Sequence, residues 1–281
     1  MARFHNIMVA WAGLLGMVLL AGAALAQEAD RTAQQARLFE ALDVAGTVAV
    51  MREEGLQYGD QIAAEMLPEA DAARWAAQVS DIYNVGHMQR LVENELAVQL
   101  EGQDLGPILG FFDTDLGHRI VALELDARRA FMDPAVDEAA TERAAEARAE
   151  GLPIMAQIDG LIADSDLVAR NVAGSLNSNL MFLRGLADGG ASDLGDDDMI
   201  REVWAQAEQT RAETEAWLGA FLLTAYAPLD AAELESYAAF YRTPEGRALN
   251  RALFAAFNRM YDELSYLLGQ SVAEHLTSVP L

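Results

Sequence analysis

The amino-acid sequence predicts an all-α protein, built as two tandem helical repeat units joined by a connector helix. Three observations predict it. Apolar residues recur at helical spacing almost throughout, and strand-like runs of Val, Ile and Thr are missing. Ala, Glu, Gln, Leu and Arg, all good helix formers, are abundant. The segment from Trp75 to Pro134 also aligns on Trp204 to Glu263 without a gap, at an offset of 129 residues. Trp75 falls on Trp204, Leu100 on Leu229, Leu105 on Leu234, Phe111 on Phe240, Thr114 on Thr243 and Gly117 on Gly246. Upstream, Val44, Ala45, Val48, Ala49 and Leu56 fall on Val168, Ala169, Val172, Ala173 and Leu180 at an offset of 124, the difference being absorbed between Gly189 and Asp198.

Taken in order, residues 1–26 read as a signal peptide. Arg3 precedes an apolar run from Ile7 to Ala24, and Ala24-Leu25-Ala26 supplies a small-x-small cleavage site before Gln27. A retained membrane anchor is the competing reading, because the run approaches spanning length. Nothing downstream is apolar for long enough to span a bilayer. The expected location is therefore periplasmic or secreted.

Residues 27–134 form the first repeat. A first helix is expected from Ala29 to about Met51, on the stripe Leu38, Leu42, Ala45 and Ala49, and a second from near Gly55 to Met66, before Pro68. A long third helix is expected from near Asp71 to about Leu100, carrying Trp75, Val79, Ile82, Met88, Leu91, Val92 and Leu96. A short helix with Pro107 in its first turn then ends at the aromatic pair Phe111-Phe112. Thr114 caps the next helix, Asp115 complements its dipole, and that helix runs to about Met132. Asp133-Pro134 opens the connector at 135–152, whose Ala, Glu and Arg residues predict a mostly solvated helix, stopped by Gly151-Leu152-Pro153.

Residues 153–281 form the second repeat. There Asp230 and Glu233 stand in capping-box spacing. Thr243 is held extended by the proline that follows it; it caps a helix with Pro244 at the tolerated first position and Glu245 facing the dipole. Gly246 costs about 0.5–1 kcal/mol of helix propensity against alanine, so close approach of the aromatic pair or the repeat tryptophan is expected there.

The stretch Phe240-Tyr241-Arg242-Thr243-Pro244-Glu245-Gly246 resembles the aromatic-aromatic-x-Ser/Thr-Pro-x-Gly signature of domain-of-unknown-function family 2059. The first copy departs from it, with Phe112 for the tyrosine and Asp115 for the proline. The resemblance implies an exported bacterial helical protein, and it carries no catalytic residues over to this chain.

Composition excludes several chemistries. The net charge is -25, the 19 basic residues are all arginine, and cysteine is absent. Schiff bases, P-loop lysines, thiolate catalysis, disulfides and thiolate-held metals are thereby removed. So acidic a chain is repelled by phosphate backbones, which argues against nucleic acid as a partner.

The repeated helix start is also an anion-site candidate. Its residues would be Phe111, Thr114, Gly117, His118 and Arg119 in one copy, and Phe240, Tyr241, Thr243, Pro244, Gly246 and Arg247 in the other. Asp115 and Glu245 weigh against it, since they already place negative charge where an anion would sit. Neither His118 nor His87 is repeated in the second copy, and their spacing makes no helix-borne metal pair. The acidic cluster from Asp193 to Asp198 lacks the alternation of a calcium loop and reads as a solvated linker. No cofactor or metal motif is found, and no catalytic residues emerge.

The two post-signature helices differ. Leu253 and Phe257 of the second copy are replaced by Glu124 and Arg128 in the first, a spacing expected to form a solvent-facing pair. The second copy's helix is accordingly expected to be the more buried. The sequence reads as a periplasmic binding or interaction module without catalysis, its partner class another envelope protein. The alternative is a periplasmic hydrolase using carboxylate or histidine chemistry.

Overall fold

The computed structural model describes residues 29–67 and 72–277, so the segment 1–26, read above as a signal peptide, lies outside the described residues. Within them the protein is all-helical. The first half comprises α1 (29–41), α2 (Val44–Met66), α3 (Ala72–Ile82), α4 (Val85–Gln99), α5 (Gly106–Phe112) and α6 (Asp115–Ala130). Then come α7 (Pro134–Ala149) and the second half: α8 (Pro153–Asp164), α9 (Leu167–Asp188), α10 (Asp196–Ala205), α11 (Ala207–Tyr226), α12 (Ala231–Tyr241) and α13 (Pro244–Thr277). No helix among the described residues is long and apolar enough to cross a membrane.

Two helix breaks differ from the sequence expectation. The first falls at Leu42-Asp43 instead of between Met51 and Gly55: Asp43 adopts a left-handed conformation at φ 43° and its carboxylate caps α2 by accepting from the Gly46 amide. The long third helix is two helices, because Asn84 leaves the helical region and its side chain accepts from the His87 amide. In both cases the apolar stripe continues across the break, so periodicity alone reads as one helix. In the second half the first break recurs at Ser165-Asp166, where Asp166 is again left-handed at φ 54°, and the second lies elsewhere, at Gln206 between α10 and α11.

Expected caps are present at the other turns. Thr114 accepts from the Gly117 amide at 3.0 Å and Thr243 from the Gly246 amide at 3.0 Å. Asp230 and Glu233 form a complete capping box. Gly151, at φ 67°, lets the Leu152 amide reach the Ala147 carbonyl and closes α7. The connector α7 is mostly solvated. Its Ala140 and Ala144 are buried against Ala220 of α11, a small-residue face that lets the two helices pack.

The core is shared by both halves. It runs from Leu38, Trp75 and Met88 through Phe112 and Ile120 to Leu234, Leu249 and Met260. The packing is reciprocal: α13 lies on α4 of the first half, and α6 lies on α11 of the second. At the centre the two aromatic turns meet. Phe111 stacks on Phe240 with ring centroids 4.7 Å apart, and Phe112 meets Phe240 edge-on at 5.4 Å. An ion pair ties each turn to the opening helix of its half with the charges exchanged, Arg37 to Asp113 in one and Asp164 to Arg242 in the other. The aligned tryptophans diverge: Trp75 is buried and donates to the Gly59 carbonyl, whereas Trp204 is exposed.

The last helix, α13, is more buried than α6, as expected. The expected solvent-facing pair on α6 is not formed. Glu124 instead accepts hydrogen bonds from the Tyr226 and Tyr237 hydroxyls at 2.6 and 2.7 Å, and Arg128 makes a two-pronged bond to Glu54 at 2.7 Å each. Because α6 packs on α11 of the other half and on α2 of its own, Glu124 finds its partners across the seam and Arg128 finds Glu54 on α2.

Candidate ligand cleft

The repeated signature is a packed joint. At Gly117, an added Cβ would lie 2.5 Å from the Phe111 carbonyl oxygen and 2.6 Å from the Phe112 Cα; at Gly246 it would run into the Phe240 carbonyl and lie 2.8 Å from the Tyr241 Cα. The close approach expected at Gly246 is therefore made by the backbone of the aromatic pair. The two cap hydroxyls are saturated, since each also donates to the carbonyl of the first aromatic, Thr114 to Phe111 and Thr243 to Phe240, both at 2.7 Å. Arg119 donates to Glu233 and to the Pro228 carbonyl, and Arg247 donates to the Arg242 carbonyl. His118 is exposed, Pro244 opens α13, and Tyr241 packs edge-on against Tyr237 at 5.0 Å. The structure thus brings the two joints together ring against ring, and their cap hydroxyls and arginines are engaged by internal partners.

The Glu124 seam shares that centre. Desolvation by burial raises the Glu124 pKa, against the two tyrosine hydroxyls that lower it. Burial, and then the Glu124 charge, raise Tyr226 and Tyr237 well above the ordinary phenol range.

Elsewhere a cleft of about 790 Å³ opens between α2 and α9 and is backed by α13. Helices α9 and α13 run parallel, since Ser165 meets Asn250, Asn177 meets Asp262 and Gly185 meets Gly269. At Gly185 and Gly269 the backbones touch: a Cβ on Gly185 would lie 2.8 Å from the Gln270 nitrogen, and one on Gly269 3.0 Å from the Leu186 nitrogen. Only glycine permits that approach. Nearer the start of α9, Gly174 faces Asn258 in the cleft wall.

Three helix faces line the cleft. Helix α2 gives Thr47, Met51, Glu54, Gly55 and Tyr58; α9 gives Asn171, Gly174, Ser175, Ser178, Asn179 and Phe182; α13 gives Leu253, Phe254, Phe257, Asn258, Tyr261 and Ser265. Tyr83, Arg128 and Trp217 complete it. No family model, curated protein or solved structure matches this chain.

The charged groups of the cleft are satisfied within it. Arg128 donates to both Glu54 oxygens and, at 3.0 Å, to the Tyr261 hydroxyl, tying α6 to α2 and α13. Burial works against the Arg128 cation, and Tyr261 and Glu54 more than offset it, so its pKa is raised. Among the described residues no group of three or more His, Asp or Glu side chains is arranged to hold a metal ion. In the acidic cluster, Asp196 pairs with Arg184 and Asp198 with Arg201.

Sequence reading missed this cleft because its lining comes from three separated helices. One signal was present. From Asn171 to Leu183 the chain carries no charge, and Asn171, Ser175, Ser178 and Asn179 fall on one helix face. Ser and Asn are poor choices inside a helix, where they compete for backbone hydrogen bonds, so a stripe of them facing a wall is informative.

Proposed function

We propose that this protein is a non-catalytic binding module that takes a small molecule in the cleft between α2 and α9. The observation that carries the reading is the cleft itself. Its volume of about 790 Å³ lies within the range of ligand pockets, and its wall combines aromatic rings with a few neutral polar groups. The fixed Glu54–Arg128–Tyr261 cluster braces three of the helices that shape it, which favours a largely preformed site.

Export belongs to the same reading and rests on the apolar run before Ala26. So does duplication of a helical unit, supported by the matched caps and glycines of the two joints and by the reciprocal packing of α4 with α13 and α6 with α11. The resemblance to domain-of-unknown-function family 2059 is supported by Phe240, Tyr241, Thr243, Pro244 and Gly246.

The test is thermal unfolding of the protein against a chemically diverse small-molecule collection, in parallel with Ser175→Trp, which fills the cleft from an exposed position on α9. Compounds that raise the melting temperature of the parent protein, and not of the variant, support the reading. A collection in which no stabilisation depends on an open cleft overturns it, and turnover of a bound compound would favour the hydrolase alternative.

A further inference from the structure

Resting on that reading of the cleft, we infer that its ligand is a neutral saccharide. Charge sets the first constraint. The lining contains one anion and one cation, Glu54 and Arg128, and each is the other's partner through two bonds of 2.7 Å. A cationic ligand finds no free carboxylate there, and an anionic ligand must approach a chain of net charge -25 without a free cation to receive it.

Polarity sets the second. Thr47, Ser175, Asn258 and Ser265 line the cleft, and their side chains make no hydrogen bond to another group of the protein among the described residues. A purely aliphatic ligand would strip water from these groups and return nothing, which costs free energy for each group left unsatisfied. Hydroxyl and amide side chains both donate and accept, which matches a ligand rimmed with hydroxyl groups.

Shape sets the third. Tyr58, Phe254, Phe257 and Trp217 bring apolar ring surface to the same cleft, and Tyr58 and Trp217 remain 49% and 38% exposed. A pyranose ring has C–H faces that lie against aromatic rings and a hydroxyl rim that reaches the polar side chains. Trp217 is held in place by stacking on Phe221 at 4.9 Å and an edge contact with Phe131 at 6.2 Å, a rigid platform on one side of the opening.

Titration of the intact protein with neutral gluco-, galacto- and N-acetylglucosamine tetrasaccharides, read by tryptophan fluorescence and by calorimetry, tests the inference. Galacturonate tetrasaccharide and a medium-chain fatty acid serve as comparisons. At least one neutral tetrasaccharide is expected to bind saturably, with about tenfold weaker binding in Asn258→Ala and in Ser175→Ala, and with the fluorescence change lost in Trp217→Phe. Binding of the fatty acid or the galacturonate in the cleft, with no neutral saccharide bound, overturns the saccharide assignment and leaves the cleft reading standing. If no probe binds and the diverse collection also fails to distinguish the parent from Ser175→Trp, both fall.

Discussion

A single methyl group at Gly246 tests whether the repeated stretch is a joint. In Gly246→Ala the new Cβ would meet the Phe240 carbonyl oxygen, with the Phe240 carbonyl carbon and the Tyr241 Cα each 2.8 Å away. These are backbone atoms, so no rotamer change relieves them; the aromatic turn must move. Phe240 stacks on Phe111 of the other half at 4.7 Å, so movement is transmitted across the seam. Overpacking of this kind costs about 1–3 kcal/mol. Alanine also gains about 0.5–1 kcal/mol of helix propensity over glycine, which partly hides the clash. Gly160 isolates that second effect: it lies inside α8 with no atom within 4 Å of an added Cβ. Gly160→Ala should therefore stabilise by about 0.5–1 kcal/mol, and the difference between the two variants reports the clash alone.

For a chain of this size each kcal/mol moves the melting temperature by about 2–4 °C, so Gly246→Ala should melt roughly 2–12 °C below Gly160→Ala. Gly117→Ala should behave like Gly246→Ala, because its Cβ would lie 2.5 Å from the Phe111 carbonyl oxygen. The double variant should be non-additive, since the two turns touch. If Gly246→Ala melts at or above Gly160→Ala, the close approach of helix to aromatic turn is wrong.

Three further perturbations follow from the packing. Gly269→Ala should cost about 1–3 kcal/mol or more in urea unfolding, because its Cβ would meet the Phe182 carbonyl and the Leu186 amide nitrogen across the α9–α13 contact; an unchanged midpoint would remove that contact from the fold. Glu124 gives a pH dependence: its folded-state pKa is raised, so the native state holds the proton more tightly than the unfolded state does. Its contribution to stability is full below the ordinary carboxyl pKa and is lost as pH rises through the raised value. The advantage of Glu124→Gln over the parent protein should accordingly grow with pH across that window, and a pH-independent difference refutes the buried carboxyl. Residues 27–150 and 151–281, made separately, should unfold without the cooperativity of the intact chain and regain it when mixed, measured by calorimetry; sharp independent transitions in both would show that the shared core is dispensable.

What could be read from the sequence, and what could not, divides along one physical line. Features closed by neighbours in the chain were legible. Thr243 caps Gly246, Asp230 boxes with Glu233, and Asp133 accepts from the Ala135 amide, all within three residues. Features closed across the chain were not. Glu124 and Arg128 have the spacing of a surface pair, and only the packing of α6 on α11 and on α2 reveals that each is claimed by a residue from another helix.

The cleft belongs to the second kind. Each lining face looks unremarkable alone, because a Thr, a Glu and a Tyr on α2 are ordinary surface residues until α9 and α13 stand opposite them. The same distinction explains why a repeat can be plain while a function is not. Gly117 and Gly246 keep the joint in both halves, whereas the cleft draws on α2 of one half against α9 and α13 of the other, with Asn and Ser on α9 where the aligned part of α2 carries Thr47, Met51 and Glu54. The two aligned segments therefore differ on the faces that look at each other across the opening, and those are the faces on which binding specificity would be set.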